Sequence, residues 1–115
     1  MASRRRNLPA PPHVVCQDLA TPAPRAVRHW LRLADDEVAP TVLAVETPSR
    51  VEWSSLWSDR PDLRVVFTLA PGGGGTDLQW TLLAAEPLPG PDYTRHIARR
   101  VSTLVFADLR YTYGQ

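Results

Sequence analysis

Cysteine is nearly absent: Cys16 is the only one, so no internal disulfide can form. Its place in the run Val14-Val15-Cys16 reads as a small hydrophobe, not a nucleophile, and suits a reducing cytoplasm. Long apolar runs are missing too; no stretch approaches the roughly 18 residues that a membrane-spanning helix needs. Charge of one sign is not in excess, since 13 basic and 12 acidic side chains leave a formal net charge of +1. Such a chain has no extended field to gather nucleic acid or an anionic membrane. Arg4-Arg5-Arg6 has the look of a twin-arginine export signal, but Asn7 to Pro12 is proline-rich where that signal requires an apolar helix.

Chemical motifs are equally scarce. His13, His29 and His96 are scattered, and none stands at ligand spacing from another histidine or from Cys16, so no metal is expected. The run Gly72-Gly73-Gly74-Gly75 lacks the Lys-Ser/Thr of a phosphate loop and precedes a strand, not a helix. Ser54 and Ser55 sit outside any nucleophile-elbow sequence. No catalytic residue and no cofactor are assigned. The acidic group Asp35-Asp36-Glu37 reads either as a cation site or as a solvated loop before a strand.

What is present describes one small globular domain. With 115 residues, 43% of them hydrophobic and 22% charged, the chain can bury roughly two-thirds of its unfolded surface around a single core. Residues 1–11 show no periodicity and are expected to be flexible, leaving residues 12–115 as the domain. Pro11-Pro12 opens a short helix, Pro12 to Ala20, with Val14, Val15, Cys16 and Leu19 apolar. A second helix is indicated within Thr21 to Ala34 by the spacing of Ala26, Val27, Trp30 and Leu31.

Beyond Asp36 the period changes to two. Val38 to Glu46 and Arg50 to Trp57 read as paired strands around the turn Thr47-Pro48-Ser49, with Val51, Trp53, Ser55 and Trp57 on one face. Leu63 to Ala70 and Thr76 to Ala84 repeat the alternation, and the glycines between them predict an antiparallel hairpin. From Tyr93 to Tyr113 a helical stripe runs through Tyr93, Ile97, Val101, Leu104, Val105 and Leu109, started by Pro91-Asp92 and stopped at Gly114. The predicted fold is therefore α+β: an antiparallel sheet with short N-terminal helices and a long C-terminal helix across it.

That order of elements resembles the START-like, or SRPBCC, superfamily of helix-grip folds, which includes relatives of the Bet v 1 allergen and polyketide cyclases. The residues that carry the resemblance are Pro11-Pro12-His13-Val14-Val15, Arg50-Val51-Glu52-Trp53-Ser54-Ser55-Leu56-Trp57 and Gly73-Gly74-Gly75-Thr76. It implies a cavity between sheet and last helix for a small hydrophobic or amphipathic molecule. In some members that cavity hosts cyclisation, dehydration or lipid transfer. Such folds begin with a strand, and no strand is expected before Pro11 here, so the sheet is expected to be reduced, with open edges and homodimerisation as one way to cover them.

Within this frame Trp53, Trp57 and Trp80 either line a pocket or fill the core. With Leu104 they would form a wall around a ligand. Asp108 interrupts the apolar stripe of the helix with Arg100 on its flank, and is read as a ligand-orienting or proton-transferring carboxylate or as a solvated one. Phe106 and Tyr113 fall off the stripe and suggest a protein contact. Three functions remain open: a noncatalytic hydrophobic-ligand binder, a homodimeric structural or regulatory module, and a cyclase- or dehydratase-like enzyme using Asp108 with Arg100 or Arg64.

Overall fold

The computed structural model describes residues 2–22 and 30–113. Its elements are β1 (Ala2–Leu8), α1 (Pro12–Ala20), β2 (Val42–Glu46), β3 (Arg50–Trp53), β4 (Arg64–Gly72) and β5 (Gly75–Leu83). A C-terminal helix follows in three parts: α2 (Pro91–Ser102), a π-helical stretch Thr103–Leu109, and a last turn α3 (Arg110–Thr112). The strands form one antiparallel sheet in the order β1-β5-β4-β3-β2. The α+β architecture is the helix-grip arrangement that the element order predicts.

Strand alternation builds the core. Val51 pairs with Phe67, Phe67 with Trp80, Trp53 with Val65, and Val65 with Leu82, which places all of them on one face. Every one is buried. The other face carries Arg5, Gln79 and Thr68, and is polar. α1 lays Val15, Cys16 and Leu19 against β3, β4 and β5, while α2 packs over β1. The β4–β5 hairpin turns through Gly73 and Gly74, whose φ angles of 54° and 79° match a two-residue turn with both central residues left-handed. Gly75 is required for another reason: a Cβ there would stand 2.1 Å from the Leu8 carbonyl oxygen. The end of β1 therefore rests directly on the start of β5.

The C-terminal helix keeps an i, i+4 stripe buried over its length: Ile97, Val101, Val105 and Leu109. In an α-helix residues four apart lead one another by about 40°, so such a stripe would wind off the face it serves. The wider turns of Thr103–Leu109, closed i to i+5, wind back the other way. Alternating the two geometries holds Leu109 against the core.

Four expectations are corrected. Residues 2–8, expected to be flexible, form β1, paired with β5 from Ala2–Leu82 to Leu8–Thr76, so a strand does precede the first helix and the sheet has five strands among the described residues. The strand predicted to reach Trp57 stops at Trp53, because the Ser55 hydroxyl donates to the Trp57 carbonyl and accepts the Trp57 N–H, both at 2.9 Å. The strand predicted from Val38 starts at Val42, since Pro40 has no N–H for a ladder. Phe106 and Tyr113 are packed against the core, and the Tyr113 hydroxyl donates to the Asp18 carboxylate at 2.6 Å; the π stretch has turned the end of the helix inward. Of the second helix, residues 30–34 are described and not helical, whereas Ala26 and Val27, like the stop at Gly114, lie outside the described residues.

Candidate functional site

An irregular segment, residues 30–37, runs beside the C-terminal helix and is fastened to it chiefly by the Glu37–Arg100 ion pair. The buried Glu37 carboxylate accepts hydrogen bonds from Arg100 Nε at 2.7 Å and Nη2 at 2.9 Å, and from the Ala34 N–H at 2.8 Å. Arg100 Nη2 also donates to the Arg32 carbonyl at 3.1 Å. Burial pushes the Glu37 carboxyl up, but the hydrogen bonds from Arg100 and Ala34 together with the guanidinium charge outweigh it, and it titrates below the ordinary range. The same pairing raises Arg100. The acidic group that reads as a cation site in the sequence is thus divided: Glu37 turns inward to Arg100, and Asp36 lies 3.7 Å from His96.

Above this tie lies a cleft of about 320 Å³ lined by Trp30, Arg32, Asp108, Tyr111 and Thr112. Trp30 is buried and stacks on Trp53 with ring centroids 5.9 Å apart, and Trp53 in turn meets Phe67 edge-on at 4.7 Å. Trp53 Nε1 donates to the Leu19 carbonyl at 2.7 Å. The indole N–H groups of Trp30, Trp57 and Trp80 have no partner among the described residues. Each such buried donor forgoes about 1–3 kcal/mol of solvation. Asp108 is half-buried and has no hydrogen-bond or ion-pair partner among the described residues. Desolvation raises its pKa, against the opposing pull of Arg32 and Arg100.

The residues singled out in the sequence are distributed over two layers. Asp108 lines the cleft. Arg100 stands beneath it as the anchor of the segment that forms one wall. Trp53, Trp57, Trp80 and Leu104 are buried in the core behind, and none of them lines the clefts on this surface. Arg64 donates to the Pro61 and Leu63 carbonyls and does not reach Asp108's cleft. Trp30, Arg32 and Tyr111 carry no local signal in the sequence that they meet in one cleft. Only the break that Asp108 makes in an apolar stripe points to the place.

No family model matches the chain, and no curated protein matches it. Solved structures share its fold. The Aha1 dimer from Colwellia psychrerythraea superposes with a TM-score of 0.66 at 14% identity, covering 93% of this chain and 92% of that one. A structural-genomics protein from Rhodobacter sphaeroides gives 0.64 at 20% identity over 96% and 87% of the two chains. An AHSA1-like protein from Rhizobium etli gives 0.50 at 18% identity over 90% and 80%. The chain therefore has the fold that these structures share. Among the described residues no helix is long and apolar enough to cross a membrane.

Proposed function

We propose that this chain is a noncatalytic binding protein that holds one small amphipathic molecule in the cleft between residues 30–37 and the end of the C-terminal helix. The observation that carries the reading is Asp108, a desolvated carboxyl, set beside the buried Trp30 indole N–H, neither of them with a hydrogen-bond partner among the described residues. Polar groups left unmatched in a concave, aromatic-floored site are what a ligand would match. Trp53, Trp57, Trp80 and Leu104 then serve as rigid backing, and Arg100 positions the wall through Glu37 and the Arg32 carbonyl. Native mass spectrometry of freshly purified protein is expected to show a small-molecule adduct that Asp108→Ala and Tyr111→Ala weaken. Bare polypeptide in every preparation, or an adduct indifferent to both changes, ends this reading.

A second reading, a homodimeric module, has its own support in β2. This edge strand leaves Leu43 44% and Val45 42% exposed. Antiparallel pairing of two copies about Ala44 would set each Leu43 opposite the other copy's Val45, and the Colwellia protein of this fold is a dimer. Sedimentation equilibrium is expected to give twice the chain mass; a monomer at high concentration removes the reading.

A further inference from the structure

The opposite edge of the sheet is built differently. Among the described residues β1 pairs with no strand but β5, so its other edge is open to a further strand. Arg4 pairs with Trp80 and Arg6 with Leu78, which puts both guanidinium stems on the helix side of the sheet; Arg5 pairs with Gln79 and faces the outer side. All three are exposed. Their polar contacts are local: Arg4 donates to the Ser3 carbonyl at 2.8 Å and Arg6 to the Arg5 carbonyl at 3.1 Å. None of the three has a carboxylate partner among the described residues. The nearest acid on β5, Asp77, accepts from Asn7 at 2.9 Å.

Beside this strand a groove of about 490 Å³ separates β1 from α2, lined by Arg4, Pro89, Pro91, Thr94, Arg95 and Ala98. Its floor is made of small apolar groups, and Arg4 and Arg95 stand at its walls. Of these two, Arg95 has an acid of its own, Asp92 at 3.3 Å on the exposed helix surface.

We infer that the free edge of β1 docks an extended acidic segment of another protein, which joins the sheet as a sixth strand. Its carboxylates, two residues apart, lie against Arg4 and Arg6 on the helix side. Side chains two apart on a strand are about 6.6–6.8 Å from one another, so an acidic residue at every second position meets the arginines in register. Backbone pairing supplies affinity and the arginines supply direction and choice of partner. A second copy of this chain does not fit the edge, because two β1 strands side by side would oppose six guanidinium groups. Nucleic acid fits less well, since the arginines point to both faces of the sheet and the chain as a whole carries a net charge of only +1.

The probe is a fluorescein-labelled nine-residue peptide of alternating glutamate and valine, read by anisotropy at low salt and by amide shifts in the labelled protein. Saturable binding is expected, with shifts confined to residues 2–8 and their β5 partners. Arg4→Gln/Arg6→Gln, which keeps the strand, is expected to weaken binding at least tenfold, and Arg4→Glu/Arg6→Glu to abolish it with the melting curve retained. A peptide with proline in place of valine keeps the charge but cannot pair as a strand, and is expected not to bind. The inference is overturned if the glutamate-valine peptide does not bind, if the proline peptide binds as well, if the arginine changes have no effect, or if a single-stranded oligonucleotide of equal charge displaces the peptide at lower concentration.

Discussion

The two edges of this sheet solve one problem in opposite ways. An edge strand is a template for unwanted pairing, and proteins protect it by charge, by shortness or by distortion. β1 is seven residues long and guarded by three arginines, two of them on its core-side face. β2 has five residues, a bulge between Val42 and Ala44, and exposed Leu43 and Val45. Pro40 and Pro48 bracket it. Charge repels a like copy and admits an opposite partner, whereas a short apolar edge limits the extent of pairing and leaves self-association open. The difference separates the two kinds of partner proposed for the two edges.

The edges are also anchored differently, and that is where they can be broken. Gly75→Ala sets a methyl group against the Leu8 carbonyl, and such overpacking is expected to cost about 3 kcal/mol. Urea unfolding would read the loss, and hydrogen exchange should place it in residues 2–8 while β2 keeps its protection. Glu37→Ala removes the tie that precedes β2, leaving Arg100 and the Ala34 N–H without their acceptor; a loss of about 2–3 kcal/mol at pH 7 is expected in thermal melts. Because the Glu37 carboxyl titrates low in the fold, this contribution is full above its ordinary value of 4.5 and disappears as pH falls through the lowered one. Wild type and variant should therefore converge in acid. Val45→Arg gives β2 the protection that β1 already has. It is expected to change stability by about 0.5 kcal/mol or less and to convert a sedimenting dimer to monomer.

How far the sequence could be read follows the same division. α1 was legible because Pro11-Pro12 supplies a helix start and Val15, Cys16 and Leu19 supply a face. The β4–β5 hairpin was legible because only glycine takes the left-handed angles of its turn. β1 was not, since alternation shows a strand only when one face is apolar, and here Arg4 and Arg6 occupy the positions that a core-facing strand would fill with valine or leucine. β3 ended early at a serine whose hydroxyl captured the next backbone groups, a competition that side-chain periodicity does not register. At the candidate site Asp108 stood out as a carboxylate within an apolar stripe. Its neighbours Trp30 and Arg32 did not, because tertiary packing alone brings residues near 30 to residues near 111.

The π-helical stretch has a consequence for the length of the chain. Its widened turns act as a phase correction, taking up the rotation that a run of four-residue steps would otherwise accumulate. Uniform α-helical pitch over Thr103–Leu109 would need one residue fewer to keep this phase; at the present length it would swing everything after it by about 100°. Leu109 would leave the core, Tyr113 would lose Asp18, and Asp108 would no longer face Trp30. The cleft thus exists only because the last helix is one residue out of step with itself.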